Sequence, residues 1–149
     1  MHFAGHYVVV DREPSASYLL FAENGEDAEA SVLTNSEIDK MPFPRTKLVV
    51  MAACRSGLDN YFDGEGIVGL TRTFLAVGVP VVVASQWSVD SAAAAELMKR
   101  FHAHRRNDAM NTSRALRAAQ LDLATEPNGR FNSPYYWAPF AVFGGYSEY

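Results

Sequence analysis

Two stretches without alternation constrain this chain more than any other feature: residues 47–54 (KLVVMAAC) and residues 80–85 (PVVVAS). A strand that faced water on one side would alternate polar and apolar residues, so each run reads as a parallel strand covered on both faces. Between them Ile67, Leu70, Phe74 and Val77 recur at helical spacing, and Gly78 stands where a left-handed cap would end the helix. The unit is strand, helix, strand.

Other segments join this unit. Residues 2–4 read as the last part of a buried strand that lacks its beginning. Residues 18–22 and 30–33 are short strand-like runs on either side of the turn-forming acidic stretch 23–27, which predicts a hairpin outside the main sheet. Thr34-Asn35-Ser36-Glu37 has capping-box spacing and predicts a short helix over 36–41, stopped by Pro42 and Pro44. An Ala-rich helix runs from about Ser91 to about Arg106 with Leu97, Met98 and Phe101 on one side, and Thr112 opens another through Leu116, Ala119 and Leu123. Residues 137–143 are apolar enough for a final strand, closed by Gly144 and Gly145. The expected fold is a three-layer α/β sandwich with a mostly parallel sheet, and reactive groups in such sheets gather at the carboxyl ends of the strands.

Composition excludes several function classes. The 149 residues fit a single domain over 1–149, burying roughly 70% of the surface of the unfolded chain. A net charge of -4, with Lys99, Arg100, Arg105 and Arg106 as the one basic cluster, argues against nucleic acid, because phosphate contacts need an extended cationic stripe. That cluster reads as a solvated helix end. No apolar run approaches the roughly 20 residues of a membrane span. One cysteine rules out an internal disulfide, and with no signal peptide visible the expected location is cytoplasmic.

Cys54 and His6 both lie at expected strand ends. A cysteine nucleophile needs a thiolate, which a neighbouring imidazole and a nearby helix N-terminus supply near neutral pH. His6 precedes Cys54 by 48 residues, a spacing that allows adjacent strands without requiring them. A lone cysteine at the end of a core strand is also simply a small hydrophobe. Small Ala4 and Gly5 before His6 and the turn Arg55-Ser56-Gly57 after Cys54 favour the reactive reading, since a packing cysteine needs neither.

Five segments carry a family resemblance: residues 2–6 (HFAGH), 51–57 (MAACRSG), 64–78 (GEGIVGLTRTFLAVG), 83–90 (VASQWSVD) and 136–140 (YWAPF). In this order the chain resembles CHAT domains, caspase-like domains related to separase, caspases and gingipains and often found beside tetratricopeptide repeats. The Ala-Cys-Arg core at Cys54 with an upstream histidine also resembles the caspase signature. The resemblance implies a caspase-like fold in its C-terminal portion, without the first strand-helix-strand unit. It implies thiol-dependent endopeptidase chemistry with Cys54 as nucleophile, His6 rather than His2 as its partner, and no metal or organic cofactor. Backbone amides of Cys54 and Tyr7 would receive the oxyanion. Many relatives have Gly at the position of Tyr7, so a bulky side chain here would narrow or cover the cleft. Asp90 would pair with a basic residue before the scissile bond, with Trp87 and Ser85 lining the pocket; as a plain helix cap it has an equal claim. Expected partners are a protein or peptide substrate, a repeat or sensor domain over the N-terminal edge, or a second copy.

Other patterns point elsewhere. Residues 64–69 match a dinucleotide fingerprint, but no strand precedes them directly, and Asp63 and Glu65 would repel a pyrophosphate. His102 and His104 are two residues apart on a helix and cannot share a face, which argues against a metal site. The aromatic residues Phe131, Tyr135, Tyr136, Trp137 and Phe140 suit core and loop packing. No Gly-x-Ser-x-Gly elbow supports a serine hydrolase. The rival from another class is a non-catalytic interaction module that keeps the fold and uses the cleft for docking.

Overall fold

A computed structural model describes residues 1–10, 13–21, 32–52, 54–55 and 65–145. In chain order the strands are β1 (His2–Phe3), β2 (His6–Val8), β3 (Tyr18–Leu20), β4 (Val32–Thr34), β5 (Val49–Met51), β6 (Cys54–Arg55), β7 (Val81–Ser85) and β8 (Phe140–Gly144). The helices are α1 (Asn35–Ile38), α2 (Glu65–Ala76), α3 (Ser91–Asn107), α4 (Thr112–Thr125) and α5 (Pro134–Trp137).

The main sheet has the order β1-β5-β7-β8, with β1, β5 and β7 parallel and β8 antiparallel. Side-chain alternation divides its two faces. Leu48 and Val50 of the β5 segment, Val81 and Val83 of β7, and Phe140 and Val142 of β8 pack with Leu97, Met98 and Phe101 of α3 and Leu116 and Leu123 of α4. The intervening residues Val49, Met51, Val82, Ala84 and Phe143 face the other way, against Leu70 and Phe74 of α2 and Ile38 of α1. Both faces of β5 and β7 are therefore covered, which is the physical reason their sequences do not alternate. Each large apolar side chain so enclosed contributes about 1.5–3 kcal/mol. Helices on both faces of a mostly parallel sheet make this the expected three-layer α/β sandwich.

A second sheet has the order β4-β3-β2-β6. It continues the first: β1 leads into β2 and β5 into β6, and the pairing register survives the break. His2 pairs with Val50 and His6 with Cys54, an offset of 48 residues both times (50 less 2, 54 less 6). The run 47–54 is thus two strands rather than one, interrupted at Ala52, whose N–H still donates to Phe3 O at 2.9 Å. The break in the partner falls at Ala4 and Gly5. A Cβ on Gly5 would stand 3.0 Å from Leu20 O, so the approach of β3 accounts for the glycine there. The hairpin of β3 and β4 joins this second sheet, with Tyr18 opposite Thr34; its acidic turn lies outside the described residues.

Local signals explain the boundaries. Thr34 caps α1 through a full capping box with Glu37, although the helix covers 35–38 rather than 36–41. At the end of α2, Gly78 adopts φ +93°, with Gly78 N–H donating to Leu75 O and Val79 N–H to Phe74 O, the paired bonds of a Schellman cap. The final strand begins later than its apolar content suggested. Pro134 opens α5, which takes up Trp137, and β8 starts only at Phe140. β1 also departs from expectation: it is the outer strand of its sheet among the described residues, and His2 is exposed rather than buried.

Candidate functional site

Parallel ladders carry the candidate residues. Because β2 and β6 continue two neighbouring parallel strands, His6 and Cys54 occupy the same rung, on strands about 4.8 Å apart. His6 is exposed and its neighbour Tyr7 is 2% exposed. That follows from strand alternation: sending Tyr7 inward turns His6 outward. The Cys54 side chain and the turn residues Ser56 and Gly57 lie outside the described residues, so the pairing rests on backbone register.

Tyr7 does not stand over this rung. It packs with Leu19 and Ile38, and its hydroxyl oxygen accepts from Asn35 Nδ2 at 3.2 Å. The bulk expected to narrow the cleft is spent in the core. Its peptide group lies within β2, flanked by β3 and β6. Cys54 belongs to β6, the outer strand of the second sheet among the described residues, so one side of its backbone has no neighbouring strand there.

The remaining candidates follow β7, whose carboxyl end points the same way as those of β1 and β5. Ser85 is 3% exposed and ends the strand. Trp87 is 40% exposed; its Nε1 donates to Tyr135 O at 3.2 Å, and the Tyr135 hydroxyl donates to Ser88 O at 3.1 Å. These two bonds hold an indole and a phenol at the surface beyond the sheet. Asp90 is the N-cap of α3, one carboxylate oxygen accepting from Ala92 N and Ala93 N at 3.0 Å each. The capping reading of Asp90 is therefore realised, and only Oδ1 is used for it.

The histidines of α3 do different work on two sides of the helix. His104 lies between Asp108 and Asp122, with Nδ1 and Nε2 each 2.7 Å from a carboxylate oxygen. The hydrogen bond to Asp122, then that to Asp108, hold its pKa above the ordinary histidine value. His102 Nε2 meets His2 Nδ1 at 3.1 Å across 100 residues of sequence. Burial, followed by the charge of His2, lowers the pKa of His102. The basic cluster of α3 is not merely solvated either. Arg100 joins Glu96 and Glu126 at 2.8 Å each, and Arg105 lies over the Phe101 ring at 5.8 Å. The i,i+4 spacing of His104 and Asp108 was a legible signal for the first contact; nothing local foretells His2 against His102.

A three-layer sandwich with a mostly parallel sheet, in which neighbouring parallel strands bring a histidine and a cysteine to one rung, is a caspase-like α/β fold. The particular family follows from comparison: the CHAT domain matches residues 1–145, and the chain belongs to that family. It is also similar to human (Homo sapiens) tetratricopeptide repeat protein 28, at 29% identity over 113 residues, covering 76% of this chain. The matched stretch is about 4% of that relative's length. Among the described residues no helix is long and apolar enough to cross a membrane.

Proposed function

We propose that the chain is a cysteine-type endopeptidase domain in which His6 activates Cys54. The observation that carries the reading is the shared rung of His6 and Cys54. In the proposed reaction the Cys54 thiolate attacks the scissile carbonyl, and His6, having taken the thiol proton, returns it to the leaving amine. The Cys54 amide, on an outer strand, is the oxyanion donor; the Tyr7 amide, which the resemblance implies as a second donor, sits inside the sheet between β3 and β6. Asp90 selects a basic residue before the scissile bond with the oxygen that its cap does not use, while Trp87 and Ser85 line that pocket. The reaction needs no metal or organic cofactor.

The domain covers 1–149, works in the cytoplasm, and takes a protein or peptide substrate. A repeat or sensor domain, or a second copy, covers the outer edge of β1. The name of the human relative supports a repeat partner. The rival reading is a non-catalytic caspase-like interaction or signalling module that uses the cleft for docking.

Labelling with a peptidyl electrophile bearing a basic residue separates the two. The peptidase reading expects modification at Cys54, abolished by Cys54→Ala and slowed about a hundredfold or more by His6→Ala. Labelling at the rate of an ordinary surface thiol, unchanged in His6→Ala, would leave the interaction module standing.

A further inference from the structure

At the amino ends of β1 and β5, opposite the His6–Cys54 rung, an open pocket of about 570 Å³ is lined by Met1, His2, Arg45, Thr46, Lys47, Leu48, Val50, His102 and Arg105. Its size lies within the usual range for small-molecule sites. Its lining is unusual for an acidic protein. The chain carries a net charge of -4, yet the pocket gathers Arg45, Lys47 and Arg105 with two of the four histidines, and none of the nine lining residues is Asp or Glu. Among the described residues neither Arg45 nor Lys47 forms an ion pair, whereas Arg100 on the same α3 helix as Arg105 holds two glutamates. Leu48 and Val50, members of the apolar core, complete the lining.

We propose that this pocket is a binding site for a small phosphate-bearing anion, held by Arg45, Lys47 and Arg105 and flanked by the His2–His102 pair. Arginine presents a fork of donors matched to phosphate oxygens, and lysine adds a compact point charge. Concave low-dielectric walls lined by one sign of charge concentrate counter-ions.

The histidine pair makes the site responsive to pH. A contact of 3.1 Å between His2 Nδ1 and His102 Nε2 needs one N–H and one lone pair, so the two rings in contact carry at most one positive charge. Among the described residues that line the pocket, the groups around this pair are cationic or neutral. Partial desolvation against the His102 ring lowers the pKa of the otherwise exposed His2, while His102 is held down by burial, His2 and Arg105. An anion placed among these groups reverses the balance by favouring the second imidazolium. Binding therefore takes up protons, and affinity rises as pH falls through the histidine range.

Cyclic trimetaphosphate is a suitable probe because its own charge does not change across that range. Calorimetric titration into the 149-residue chain is expected to give saturable one-site binding, about tenfold tighter at about pH 5.5 than at about pH 8. Arg45→Ala with Lys47→Ala is expected to weaken binding about tenfold or more. Both positions are exposed, so the fold should survive, and circular dichroism checks that it does. His102→Gln is expected to reduce the pH dependence while binding at the higher pH persists. Lys99→Ala, outside the pocket on the same helix, is expected to change nothing. The proposal is overturned by an absence of saturable binding, by binding that the double variant leaves intact, or by a glutamate-rich peptide displacing trimetaphosphate more effectively than inorganic pyrophosphate does.

Discussion

Asp90 shows how one carboxylate can hold two roles apart. Its Oδ1 receives the N–H groups of Ala92 and Ala93, the second and third residues of α3, a cap worth about 1 kcal/mol. Asp90→Ala is therefore expected to lower stability by about that amount, read as a shift in the urea midpoint. Asp90→Asn keeps an oxygen acceptor and is expected to leave the midpoint nearly unchanged. Where the carboxylate also reads a basic substrate residue, the Asn variant loses the preference for Arg or Lys peptides over neutral ones while its cap persists. A preference retained in Asp90→Asn would reduce the residue to its cap. His6 and Tyr7 were legible together in the sequence as neighbours, but which of them turns outward was decided by the core that Leu19 and Ile38 build around Tyr7.

Two glycines at the ends of elements differ in what holds them. Gly78, closing α2, and Gly144, ending β8, have φ of +93° and +94°. A Cβ at Gly78 would meet nothing within 4 Å, so Gly78→Ala costs only the backbone strain of the left-handed region, about 1–2 kcal/mol. A Cβ at Gly144 would collide with the Pro80 carbonyl oxygen and stand 2.8 Å from Leu75 Cδ2. Gly144→Ala is expected to cost about 3 kcal/mol or more, because steric overlap adds to the strain. Thermal melts of the two variants check this, and equal losses would contradict it. The Gly78 cap was readable because its signal is local. Trp137 was misassigned because an apolar run of that length fits strand or helix, and Pro134 at the start of α5 settled it.

Across the whole molecule, two histidine sites give opposite pH dependences. His104 has a folded pKa above its unfolded value, so its contribution is complete below about pH 6.5 and is lost as pH rises through the folded value. Asp108 and Asp122 are 48% and 43% exposed, and solvent screening limits the contribution to about 1 kcal/mol or less. His2 and His102 have folded values below the unfolded one, so their penalty is absent at high pH and grows as pH falls below about 6.5. The two effects offset each other in acid. His104→Gln removes the stabilising half, and its urea midpoint should fall relative to the parent at about pH 5.5 and match it more closely at about pH 9. A constant difference at both pH values would show that the Asp-His-Asp bridge does not titrate in this range.

The sequence by itself determined the layers, because a strand covered on both faces must be apolar throughout, and it determined the caps of α1 and α2, because their donors and acceptors lie within a few residues. It also held the CHAT motif series. Only the tertiary structure turned the 48-residue spacing into a common ladder register that puts His6 on the rung of Cys54. It alone joined His2 to His102 and His104 to Asp122. Those contacts depend on how α3 lies across the sheet and against α4, a packing outcome of many apolar side chains that no local spacing encodes.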